Sequence, residues 1–285
     1  MPRRHELSAD RRRPLLLFAL GLVLVLVCAA LVIRAVGGGD GGPASGRAIG
    51  ASAPGTETDQ APSPPPLPLA GRTVVLDPGH NRDNAQHLAE IGRPVDAGGF
   101  EKACNTTGTA TADGLPEATI NWKLALALQD RLEALGATVP LTRDADAGWG
   151  PCIDERGRAG NGVGADLLLS LHADGAAAGA HGFHVIQPGL LPGWTDDIQA
   201  DSARAALAVR DELVAAGLSP ATYLGRDGID ERTDLGTLNH SDVPAVMLEA
   251  GNLGNPADAA LLTAPAGRGI VADALAEAVV AFVTE

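Results

Sequence analysis

Beyond residue 70, short unbroken apolar runs alternate with longer stretches in which apolar and polar positions mix. The unbroken runs, bounded by turn-forming residues, predict strands over 73–77, 138–141, 166–171, 182–187 and 245–249. The mixed stretches predict helices over 117–135, 154–162, 196–216 and 268–283. In the first of these, Trp122, Leu124, Leu126 and Leu128 are interleaved with polar residues. Strands that are apolar throughout, and are separated by helices, predict an α/β domain. Its sheet should be open, twisted and mostly parallel, with helices on both faces.

Ahead of this domain the pattern changes. Arg3, Arg4, Arg11, Arg12 and Arg13 precede an uncharged apolar run from Leu15 to Ile33. Nineteen residues at 1.5 Å each make a helix of roughly 28 Å, close to the hydrocarbon thickness of a bilayer. The basic cluster before it predicts a cytoplasmic tip and a transmembrane signal anchor over 1–36, with all that follows outside the cytoplasm. A cleaved secretory signal is the rival reading, but its apolar core runs about 7–15 residues, and no small-x-small site directly follows Ile33. Either reading exports the domain to the periplasm or cell wall. Residues 37–70 are rich in Gly and Pro and nearly devoid of large apolar side chains, the composition of a disordered linker. The folded domain is therefore expected over 71–285.

The 45% hydrophobic content, mostly Ala, Val and Leu, suffices for one substantial core. The chain carries a net charge of −14, and without its first 36 residues about −18, because six of 21 basic residues lie there but only two of 35 acidic ones. Such a surface repels phosphate polymers, so nucleic acid is not an expected partner. Cys104 and Cys152 are the two cysteines of the exported part. Outside the cell such a pair is expected to form a disulfide, and the absence of a CxxC spacing makes it a poor zinc pair.

Three predicted strands end on groups that bind metals or move protons. His80 follows "VVLDP", His172 closes "LLLSLH", and Glu249 closes "AVMLE". In open α/β sheets the ligand site lies beyond the carboxyl ends of the strands. Glu117, just after Pro116, opens the long helix whose start is expected near the same edge. Two imidazoles and one carboxylate match a catalytic zinc site with one open position, and a second carboxylate can serve as general base. Each residue alone has a plainer use: a strand-end histidine bonds a turn, and a first-turn glutamate complements the helix dipole.

The segments "TVVLDPGH", "LPEATINWKLALAL", "ADLLLSLHADG" and "VPAVMLEAGNLGNPADAALL" occur in that order. Together they resemble the zinc-dependent N-acetylmuramoyl-L-alanine amidases of the cell-wall amidase family, over residues 72–284. The resemblance implies that His80, Glu117 and His172 bind Zn2+ and that Glu249 is catalytic. It further implies a substrate of peptidoglycan or its muropeptide fragments, cleaved between N-acetylmuramic acid and L-alanine. A non-catalytic sensor of wall fragments and a zinc peptidase acting within the stem peptide are the alternative functions. The 36 residues between His80 and Glu117 exceed the simplest family pattern and are expected to lie over the site. His181 and His184 read as structural or surface residues, and His240 reads as a turn residue. Asp77 reads either as an orienting partner of a ligand imidazole or as a turn-fixing residue, and Asp174 is equally open.

Overall fold

The computed structural model describes residues 65–284. At its centre lie the two most apolar strands, β4 (Leu167–Asp174) and β7 (Ala245–Asn252), paired in parallel. β1 (Val74–Pro78) runs parallel to β4 on one side. On the other side β5 (His184–Pro188) pairs antiparallel with β7, and β6 (Ile229–Arg232) runs parallel to β5. The order is β1-β4-β7-β5-β6, so the predicted open, mostly parallel sheet is present with one antiparallel pairing inside it.

Side chains alternate between the two faces of each strand. One face sends Leu76, Leu169, Leu171, Val185, Val246 and Leu248 into the main core. Against it pack α2 (Glu117–Ala134) and α4 (Gln199–Ala215), and α7 (Pro265–Thr284) packs on both helices. In α2 the buried residues Ile120, Leu124, Leu128 and Leu132 recur every fourth position, which makes the stripe that faces the sheet. The opposite face buries Val75, Leu168, Ile186 and Met247 against Leu238 of the short α5 (Gly236–Asn239). Two residues on from Met247, and four on from Leu168, that same face turns polar with Glu249 and His172, which are register partners.

Several predicted elements differ. The run 138–141 makes only two isolated bridges, Thr138 to Thr73 just ahead of β1 and Leu141 to Leu76 within it, because Pro140 has no N–H to continue a ladder. The helix expected over 154–162 is α3 (Ile153–Gly157) followed by a 3-10 helix from Arg158 to Val163. A further helix, α6 (Pro256–Thr263), starts where the Asn255 side chain accepts hydrogen bonds from the Ala257 and Asp258 amides. The core also takes in Leu69, within the stretch expected as linker; its N–H donates to the Leu135 carbonyl at 2.9 Å. Among the described residues no helix is long and apolar enough to cross a membrane. The predicted anchor over 15–33 lies outside the described residues.

The long segment after His80 contains a one-turn helix α1 (Leu88–Ile91) and a small hairpin of β2 (Pro94–Asp96) and β3 (Glu101–Ala103). One residue past β3, Cys104 is bonded to Cys152 at the start of α3, a separation of 48 residues. Both cysteines are buried. Closing a loop of that length is worth about 4 kcal/mol in the chain-entropy model. Replacing both cysteines with serine should lower the unfolding free energy in urea by up to that amount. An unchanged denaturation midpoint would show that the bridge does not stabilise the domain.

Candidate metal centre

After β1 the chain turns through Gly79 and presents His80 with a φ of 57°, a left-handed conformation that a non-glycine residue adopts at a cost. The His80 ring is fixed from behind. Its Nδ1 donates to the Thr106 carbonyl at 3.1 Å, a contact supplied by the long segment, and this tautomer leaves the Nε2 lone pair facing the cleft. His172 stands at the neighbouring strand end. A Cβ on Gly79 would come within 2.2 Å of His172 Nε2, so only glycine leaves that ring its place.

Glu117 projects from the first turn of α2 between the two rings. Its Oε2 lies 3.3 Å from His80 Nε2 and its Oε1 lies 3.0 Å from His172 Nδ1. The Thr109 amide donates to Oε2 at 2.9 Å, while the Ala173 amide and Asn121 Nδ2 donate to Oε1 at 3.2 and 3.1 Å. Burial opposes ionisation of this carboxyl, but His80 and His172 outweigh it and hold its pKa well below the usual carboxylate range. Burial likewise pulls the His80 pKa down, yet Glu117 raises it overall. One ligand atom from each of the three residues falls within a 4.8 Å span. Two nitrogens and one oxygen at that spacing form a donor set suited to zinc.

Glu249 lies beside this trio, in the same cleft as His80 and His172. Its Oε2 is buried and has no hydrogen-bond partner among the described residues. Burial first, and then the negative charges of Glu117 and Asp174, push its pKa well above the ordinary range. A carboxylate so placed readily takes a proton.

A family model described as N-acetylmuramoyl-L-alanine amidase matches residues 74–281. The chain belongs to this amidase family. The N-acetylmuramoyl-L-alanine amidase Rv3717 of Mycobacterium tuberculosis is 42% identical over 221 residues, 76% of this chain and 88% of the relative. The crystal structure of the amidase Ami1 from Mycobacterium abscessus aligns with a TM-score of 0.71 at 42% identity, over 75% of this chain and 100% of that one. Ami1 from Mycobacterium smegmatis aligns with a TM-score of 0.72 at 39% identity, over 76% and 98%.

The amidase fold brings together all four residues singled out in the sequence, and Asp174 lines the same cleft. His181 is exposed. His184 is buried directly across the strand pair from Glu249, its ring against Tyr223, whose hydroxyl donates to Asp174 at 3.0 Å. His240 is a pin: Arg158 donates to its Nδ1 at 3.0 Å and its Nε2 donates to the Asp96 carbonyl at 2.9 Å.

Asp77 departs from both uses expected of it, for it neither bonds a ligand imidazole nor closes the turn. It is fully buried and accepts from Arg156 and Thr142 at 2.5 Å each and from Ser170 at 2.7 Å. Arg156 is the residue that sequence reasoning missed. Its guanidinium also donates to the carbonyls of Pro78 and His80, each at 3.0 Å, and to Asn81 Oδ1 at 2.6 Å, clamping the loop that carries His80. In "IDERGR" it looks like any charge on a surface helix.

Burial raises the Asp77 pKa, but Arg156 and the two hydroxyls more than offset this and leave it below its ordinary value. Asp77→Asn should therefore cost about 3–5 kcal/mol near neutral pH, because Arg156 is left as an uncompensated buried charge. A depressed folded-state pKa gives stability that is complete above the unfolded value of about 3.9 and is lost as pH falls through the folded one. The gap between wild type and variant should narrow below about pH 4. A gap that is constant down to low pH would contradict the ion pair's role.

Proposed function

We propose that this amidase hydrolyses the amide joining the lactyl group of N-acetylmuramic acid to the first L-alanine of the peptidoglycan stem peptide. In this reading His80, Glu117 and His172 hold a zinc ion and Glu249 moves the proton. The observation that carries it is the meeting of two imidazoles around one ionised carboxylate, with the unpartnered Glu249 oxygen alongside. Zinc bound there would lower the pKa of a coordinated water and polarise the scissile carbonyl.

The chain's own residues do the rest. Thr106 keeps the His80 tautomer, and Asn121 with two backbone amides fixes the Glu117 oxygens. Glu249 takes the attacking water's proton and delivers it to the departing alanine amine.

We also infer that the domain acts outside the cytoplasmic membrane, tethered by the apolar run over 15–33.

Glu249→Ala should retain zinc by elemental analysis and release no peptide, while His172→Ala should lose the metal. Mass spectrometry of wild-type products should find the free lactyl carboxyl and a peptide beginning with L-alanine. Cleavage inside the peptide, or full activity in Glu249→Ala, would defeat the mechanism.

A further inference from the structure

The cleft has two arms of opposite character that meet over the candidate metal centre. Both are lined by His80, Thr106, His172 and Glu249, so a substrate whose scissile bond lies there extends into each arm. One arm, about 260 Å³, continues over Ala103, Ile153, Leu235 and Met247, and is also lined by the charged groups of Lys102, Asp234 and Arg156, the last paired with the buried Asp77. The other, about 370 Å³, continues over Thr107, Gly108, Thr109, Asp174 and Gly175.

We propose that the apolar arm receives the peptide side of the substrate, that Lys102 binds a carboxylate on the residue after the alanine, and that the polar arm receives the sugar. The assignment rests on the amidase reading above. Sugar hydroxyls and an acetamido group need hydrogen-bond partners once they leave water, and the polar arm supplies hydroxyls, backbone amides and a carboxylate. An alanine methyl needs none and gains by contact with Met247, Leu235 and Ile153.

The charge balance of the apolar arm favours an anion there. Lys102 is one of two lysines in a chain of net charge −14. Its Nζ donates to the Asp234 carbonyl at 2.6 Å and to Asp234 Oδ2 at 3.1 Å, which leaves one of its three N–H bonds for a ligand. The Asp234 carboxylate is shared, because Arg232 donates to its two oxygens at 2.8 Å each. Arg232 thus competes with Lys102 for the Asp234 carboxylate, which leaves the ammonium only partly neutralised by it. Asp234 also holds the ammonium in place, so little side-chain freedom remains to be lost when a carboxylate binds.

The test uses the zinc-loaded chain and a pair of N-acetylmuramoyl dipeptides that differ only in the second residue's α-carboxyl group, free in one and amidated in the other. Wild type should show a KM for the free carboxylate lower by roughly 5–10-fold, the size of one charge-assisted hydrogen bond in a partly exposed site. Lys102→Met should bring the ratio of the two KM values to about one, and Lys102→Arg should restore most of it. The ratio is read within each variant, so a general loss of stability or metal does not imitate the effect. If the chain releases peptides from peptidoglycan but handles the two dipeptides alike, or if Lys102→Met keeps the discrimination, the inference fails and the amidase reading stands. If wild type releases peptide from neither peptidoglycan nor the dipeptides, both fail.

Discussion

One buried carboxylate shared between two imidazoles organises this molecule. Glu117 is only 4% exposed, and burying an ionised group without partners would cost several kcal/mol. Its partners come from four separate parts of the chain: His80 after β1, Thr109 in the long segment, Asn121 one turn along α2, and His172 with Ala173 in β4. The start of α2 adds its dipole, which favours a negative charge in the first turn. The site exists only while the sheet edge, the helix start and the long segment hold their relative positions.

Two further devices keep them there. Arg156 and Asp77 form an ion pair beneath the His80 loop, and the guanidinium also donates to the Pro78 and His80 carbonyls and the Asn81 side chain of that same loop. The disulfide joins the end of the β2–β3 hairpin to the start of the helix that carries Arg156. The segment that supplies the Thr106 and Thr109 contacts is thus tied to the element that clamps His80. Electrostatics follow the same geometry: the pKa of Glu117 is pushed down and that of Glu249 is pushed up, which separates a carboxylate suited to binding metal from one suited to carrying a proton.

Much of this was legible from residue pattern, for identifiable reasons. β4 and β7 each open on an unbroken apolar run because both faces are covered there, and the fourfold spacing in α2 marks a helix packed on a sheet. The four site residues stood out because they close apolar runs or open a helix. What was hidden depends on tertiary context. β2 and β3 have three residues each, too few to show a period, and β6 reads Ile-Asp-Glu-Arg. The reversed direction of β5 leaves no trace in an alternation that looks the same both ways. The need for glycine at 79 arises from a ring on another strand, and the burial of Arg156 arises from carbonyls far away in the chain.

The central claim is that His80, Glu117 and His172 hold one metal ion with Glu249 beside it. The most direct measurement is anomalous X-ray diffraction at the zinc absorption edge from crystals of the zinc-loaded domain. The account predicts a single strong peak at about 2.0–2.2 Å from one atom of each of the three ligands, with the Glu249 carboxylate within reach of the ion's remaining position. A zinc peak elsewhere, or one bonded to a single member of the trio while Glu117 stays paired with both imidazoles, would contradict it.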